Sequence, residues 1–382
     1  MFNVARNPVT NRHGMLIRLC RHHVNLIMAC QRVRYATVTV ALPQGHIPAL
    51  LLCHKMLWIR PMPLLQINAG TDGALSRDPR HPVCAARIAQ GTGPIIVMVH
   101  GFKFAPSQGD DCPHRHILSL SPQVRHRKAL SWPRALGLQP DDPLRAIAFG
   151  WQGLGNVRQA WDNADRAGHA LAALTCMLRQ IAPHRPVHAL AHSMGARVVM
   201  SALAHMPATA QRNTPALSRA VLLNPATYQS HARQALSHPA ATLTEVINIT
   251  TRENDLFDLL LECAIRPPCR SDHSLGAGLP GQRNLITLQL DDPRCLQALA
   301  GLGYRIAPAQ TRICHWSTYL RPGVFDLYRA LLLTPDALPF TRLRHAVPPD
   351  QQPRWSRLAP PAAVARLWPR RKTATPLRGT PA

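Results

Sequence analysis

Apolar residues along this chain fall into two patterns that alternate. Short continuous runs at 94–99, 145–149, 187–191, 220–223, Glu245–Thr250 and 285–290 have the length of strands buried on both faces of a parallel sheet. Leu64–Asn68 reads as an edge strand. Between these runs lie stretches with helical spacing. The longest, about 156–182, sets Ala160, Trp161, Ala164, Ala167, Leu171, Leu174, Leu178 and Ile181 on one face. After Ala191, apolar positions recur at Val198, Val199, Ala202, Leu203 and Met206, and a further helix is expected at about 324–333, after Pro322-Gly323. Strands separated by helices of this length imply an α/β fold with a doubly wound, mainly parallel sheet flanked by helices.

Residues 1–61 break the pattern. They contain no acid and no serine, and they show no sustained period of 3.6 or 2. The change at Met62 predicts a folded domain over 62–338. Residues 1–61 are expected to be a non-core extension that arises from a mis-assigned start. Residues 339–382, rich in Pro, Ala and Arg, are expected to be a disordered tail. The formal net charge of +25 looks at first like a nucleic-acid signature. Each tail carries +8 of it, with eight Lys/Arg and no acid in 1–61 and nine against one in 340–382. No groove-reading helix or aromatic stacking platform accompanies the charge, so no specific nucleic-acid partner is expected. Ten cysteines occur singly, without a Cys-x-x-Cys pair, which argues against a zinc site and for a reduced, cytoplasmic protein. No run of eighteen apolar residues suggests a membrane span.

The chemistry gathers where expected strands end. The run 187–191 stops at Ala191-His192-Ser193-Met194-Gly195, and a helix follows. A strand turning sharply into a helix around a serine is the arrangement of a nucleophile elbow, with small residues at 191 and 195 to let strand and helix pass closely. The first apolar run ends in His100-Gly101-Phe102-Lys103, where Gly101 permits a tight turn. The N–H groups of Phe102 and Met194 would then form an oxyanion hole. A serine hydroxyl needs a histidine to take its proton, and that histidine needs a partner to fix its tautomer. With the base following the last strand, His315 is the candidate rather than His345, which lies by the tail. The acid is expected after Glu245–Thr250, where Glu253, Asp255 and Asp258 are available. Asp255 fits best, although its position also suits a simple helix cap.

These segments, with Phe149-Gly150-Trp151, Asn248 through Asp255 and His315-Trp316-Ser317, resemble the α/β-hydrolase superfamily, in particular a group of uncharacterised bacterial hydrolases. The resemblance covers about 62–335. It implies a Ser193–Asp255–His315 triad, hydrolysis of an ester, thioester or amide of a small-molecule acyl substrate, and no cofactor. A catalytically silent binding protein on the same fold is the alternative. His100, Gly101, Lys103, His114, Trp151 and His192 are further candidates for the pocket and its loops. The roughly thirty-residue loop after Lys103, with Asp110, Asp111, Cys112, His114 and His116, reads as a polar lid rather than a metal site.

Overall fold

The computed structural model describes residues 62–107, 109–124, 126–207 and 214–358 in full, and the backbone of 15–20, 23–28 and 37–41. The chain divides into two units, Met1–Ile59 and Arg60–Ala382. In the first unit, β1 (Met15–Cys20), β2 (His23–Met28) and β3 (Thr37–Ala41) form an antiparallel sheet in that order. Strands of five or six residues are too short for a two-residue period to stand out, so the sequence analysis did not anticipate them.

In the second unit, seven strands make one sheet: β4 (Leu64–Asn68), β5 (Ile95–Val99), β6 (Ala146–Gly150), β7 (Val187–His192), β8 (Arg219–Leu223), β9 (Glu245–Thr250) and β10 (Leu285–Gln289). Their order is β10-β9-β8-β7-β5-β6-β4, and every neighbouring pair is parallel. Strands β5 through β8 are buried along their whole length. Within them, alternate side chains still serve opposite faces. Ile95, Val97, Val99, Ala189 and Ala191 join one core; Ile96, Met98, Leu190 and Val221 join the other.

Ten helices connect and cover the described strands: α1 (Pro82–Gln90), α2 (Trp132–Ala135), α3 (Val157–Ile181), α4 (Gly195–Ala204), α5 (Gln229–Ser237), α6 (Asp255–Ala264), α7 (Pro293–Gly301), α8 (Ser317–Leu320), α9 (Val324–Leu333) and α10 (Phe340–Ala346). Helix α3 starts at a capping box in which Asn156 and Gln159 satisfy each other's backbone N–H groups. It packs so closely on α4 that a Cβ at Gly168 would sit 2.3 Å from the Ser201 Cβ. Chain order reverses at β5, which lies between β6 and β7. In open parallel sheets the crevice beyond the strand ends at such a reversal is where ligands bind. The turns after β5 and β7 are the ones that carry Phe102 and Ser193.

The boundary expected at 339 falls too early. Helix α10 buries Phe340 and Leu343, and Val347 is buried just after it. Residues 350–357 then run past the end of β10 and along α6. Gln352 N–H donates to Gln289 Oε1 at 2.8 Å, Arg354 grips Glu262 at 2.9 and 3.1 Å, and Arg357 donates to the Thr311 carbonyl at 2.8 and 3.0 Å. The apolar periodicity misses this strap because polar contacts hold it. The remainder of the expected tail, 359–382, lies outside the described residues.

Candidate active site

Ser193 occupies the turn between β7 and α4 with φ of 56°, a left-handed conformation that costs a non-glycine residue about 1–2 kcal/mol. Three hydrogen bonds hold it there: its N–H donates to Leu223 O at 2.9 Å, and its carbonyl accepts from the Ala196 and Ala226 N–H groups, each at 3.0 Å. The turn has no spare room. A Cβ on Gly195 would lie 2.6 Å from His100 O and 2.7 Å from Val99 O, and one on Gly101 would lie 2.8 Å from the Ser193 Cβ. The two glycines therefore let the β5 and β7 turns touch.

That contact brings Phe102 and Met194 to the same cavity as Ser193. Neither the Phe102 nor the Met194 N–H donates a backbone hydrogen bond among the described residues, whereas the neighbouring Lys103 N–H is used by Gly153 O at 2.9 Å. Lys103 itself has φ of 73° and borders the cavity. His100 and Trp151 brace the turn from behind and do not line the cavity. Their rings stack at 5.3 Å, Trp151 N–H donates to His100 Nε2, and the indole N–H donates to His100 O. Burial pushes His100 down to about 3. His114 is likewise behind the turn, 2.6 Å from Asn68 Oδ1.

His315 lies on the cavity wall ahead of α8, stacked on Phe257 at 4.7 Å between ring centres. Its carbonyl is fixed by two donors, His192 Nε2 at 3.0 Å and Asn224 Nδ2 at 2.9 Å. His192 thus borders the cavity and also holds the loop that carries His315. His315 Nδ1 meets Asn254 Oδ1 at 2.6 Å. An amide oxygen can only accept, so Nδ1 carries the proton and Nε2 is left as the basic atom. Burial holds His315 well below its ordinary value, and the cationic forms of His192 and Lys128 add to the effect. The imidazole is therefore neutral near pH 7.

None of the three carboxylates considered from sequence bonds to His315. Asp255 is the correction: it is the first residue of α6, it pairs with the buried Arg252 at 3.1 Å, and its Oδ2 accepts the Trp355 N–H at 2.5 Å. It does not cap the helix either, because α6 has no side-chain cap. Glu253 accepts from Thr311 Oγ1 at 2.5 Å and pairs with Arg321, while its carbonyl accepts the Cys314 N–H at 2.9 Å. It fastens the loop that carries His315. Burial would raise the Glu253 carboxyl, but Thr311 and Arg321 outweigh it and hold it below the ordinary value. Asp258 accepts from Ser274 Oγ at 2.6 Å. The residue that sequence reasoning missed is Asn254, one position from Asp255. Chain order had narrowed the search to this turn, and only the phase of the 3-10 turn Arg252–Asn254 decides which side chain reaches the ring.

The cavity encloses about 610 Å³. Phe102, Phe104, Ile117, Leu261, Trp316 and Tyr319 give it apolar walls, and the loop after Lys103 supplies one side through Asp110, Asp111, His116 and Val124. Lys128 Nζ sits 3.1 Å above the Trp316 ring. Among the described residues no three His, Cys, Asp or Glu side chains converge to hold a metal ion. No helix of the described residues is long and apolar enough to cross a membrane.

Residues 85–246 match the model of a family described as alpha/beta hydrolase of unknown function (DUF900), a span that includes Phe102 and Ser193 and stops before Asn254 and His315. No curated protein matches the chain. Among solved structures it is similar to Aspergillus fumigatus lipase B at 14% identity, covering 69% of this chain and 59% of the lipase, with a TM-score of 0.32. It is also similar to an acetyl xylan esterase at 12% identity, covering 66% of this chain and 100% of the esterase, with a TM-score of 0.31. MenH from S. aureus is 9% identical over 68% of this chain and 96% of its own length, with a TM-score of 0.31.

Proposed function

From the site geometry, and with residues 85–246 matching the model of an alpha/beta hydrolase family, we propose that the protein is a serine hydrolase that cleaves an ester, or a related thioester or amide, using Ser193, His315 and Asn254. The observation that carries this reading is the 2.6 Å contact between His315 Nδ1 and Asn254 Oδ1, on the cavity that Ser193 also lines. With Nδ1–H donated to the amide, Nε2 accepts the Ser193 Oγ proton as the oxygen attacks the substrate carbonyl. The Phe102 and Met194 N–H groups receive the developing oxyanion, each worth about 3 kcal/mol in the transition state. His315 then returns the proton to the leaving group, and a water repeats the sequence on the acyl-enzyme. Asn254 can hold the tautomer as an aspartate would, but it brings a dipole rather than a charge to the imidazolium. The apolar walls suit an acyl chain. Seven described cysteines are in no disulfide, which supports a reducing, cytoplasmic setting.

A fluorophosphonate probe tests the proposal. Covalent labelling of the full chain, abolished in Ser193→Ala and weakened in Asn254→Ala, is expected. A folded wild-type protein that takes no label, or a Ser193→Ala protein that labels as well as wild type, would sink it.

A further inference from the structure

Two ammonium groups border the cavity among the described residues, Lys103 at the start of the long loop and Lys128 near its end. Neither pairs with a carboxylate there. Lys103 is exposed, with Nζ 4.9 Å from the Phe102 ring. Lys128 is seated more firmly. It is half-buried, its Nζ rests 3.1 Å above the Trp316 ring, and its N–H donates to His126 Nδ1 at 3.0 Å. The ammonium has no hydrogen-bond acceptor among the described residues, and it is not sealed from solvent as the buried unpartnered polar atoms are. A cation on an aromatic face gains from the ring and keeps N–H donors for a ligand.

Trp316 follows His315 in the chain, and the two rings lie 5.8 Å apart, so this ammonium stands beside the base. An imidazolium forms there when the base takes the serine proton. Asn254 brings it no charge, and beyond the effect of burial the charges on His192 and Lys128 both oppose it. The acids on the cavity wall do not offset this. Asp110 and Asp111 are exposed and pair with neither lysine, and Asp258 accepts from Ser274.

We propose that Lys128 is a specificity-determining residue that pairs with a carboxylate on the substrate, so that the site takes anionic esters in preference to neutral ones. The inference rests on the hydrolase reading above. The carboxylate would supply the acceptor that the ammonium lacks. It would also cancel a positive charge next to the imidazolium, an effect that grows toward the transition state and so raises kcat as well as lowering KM. One carboxylate on an apolar stem matches one ammonium on an aromatic shelf against which Phe257 packs at 5.9 Å.

Two ester pairs test this, one with the charge on the acyl chain and one with it on the leaving group. They are p-nitrophenyl hydrogen adipate against p-nitrophenyl hexanoate, and p-acetoxybenzoate against its methyl ester. Wild type is expected to favour the charged ester about tenfold in kcat/KM in at least one pair, and the pair that responds places the carboxylate. The preference should shrink in about 1 M salt, where the screening length falls to about 3 Å. Lys128→Met should erase it, Lys128→Arg should retain it and Lys128→Glu should reverse it. Equal rates within both pairs, a preference unmoved by salt, or one that survives in folded Lys128→Met would overturn the assignment. Should wild type cleave none of the four esters, their calorimetric binding to it separates the two layers. Tighter binding of a charged ester, lost in Lys128→Met, would sink the hydrolase reading and leave the Lys128 assignment standing; equal binding in both pairs would remove the assignment as well.

Discussion

Replacing Asn254 by aspartate changes one atom at the point where the base is oriented. In wild type, His315 is neutral well below pH 6.5 and faces no carboxylate on Nδ1. A base must be neutral to act, so activity is present above the His315 pKa and lost as pH falls through it. The acid limb of the wild-type kcat/KM profile is therefore expected far below 6.5. In Asn254→Asp a negative charge would stand at the 2.6 Å contact. At an effective dielectric constant near 20 and about 4 Å between charge centres, the attraction to an imidazolium is about 4 kcal/mol. That corresponds to about 3 pH units before the cost of burying the new carboxylate is subtracted. An upward move of about 1–3 units is the expected outcome. Steady-state hydrolysis of a p-nitrophenyl ester from pH 4 to 9 measures it, with fluorophosphonate labelling to count active sites. An acid limb that stays in place while the protein remains folded and active would refute the reasoning, because it would mean that residue 254 does not face the base.

Two further substitutions follow from the same geometry. Asp255→Asn is expected to leave kcat within a few-fold of wild type, where loss of a true triad acid costs about 10⁴; it should lower Tm by several degrees, because Arg252 loses its buried partner, and ester turnover alongside thermal unfolding reads both. Gly101→Ala should press its methyl on the Ser193 Cβ at 2.8 Å and on His192 O at 2.9 Å; displacement of the nucleophile is expected to cost about a hundredfold in kcat/KM, and a wild-type rate would show that the two turns have slack.

The parallel sheet was legible because its strands are continuous apolar runs and need no partner information to be recognised. Glu245–Thr250 and Val324–Leu333 coincide with their expected bounds. That Ser193, Phe102, Met194 and His315 meet at one cavity was legible because each sits at a strand end or after the last strand, where topology alone brings the turns together. The side chain that meets His315 Nδ1 was not. Glu253, Asn254, Asp255 and Asp258 lie within six positions, and each is bonded in a different direction: to Arg321 and Thr311, to His315, to Arg252 and Trp355, and to Ser274. Those directions depend on one turn of 3-10 helix and on segments 16 to 100 residues away, which no local pattern encodes. A preference for charged triad acids favoured Asp255 over the neutral neighbour. The strap was illegible for a similar reason, since its partners are backbone carbonyls and distant acids.

The strap also holds helix α6 from outside the cavity through polar contacts. The bond from Trp355 to Asp255 closes a loop of 100 residues. With β9, β10 and α10 in place, docking the strap orders only the few residues after Val347, and Trp355 adds the strain of φ at 69°. Against this stand a few hydrogen bonds and the Arg354–Glu262 pair, without the apolar burial that holds the sheet. Such a balance describes a unit that opens on its own while β5 to β8 stay closed. Amide exchange should therefore be faster at Gln352 and Trp355 than anywhere in the central strands. Each opening takes the Trp355 N–H from Asp255 and the Arg354 guanidinium from Glu262, while Arg252 still holds Asp255 and the Ser274 N–H still holds Glu262. The protein would then exchange between a clasped and an unclasped form while its central sheet stays folded.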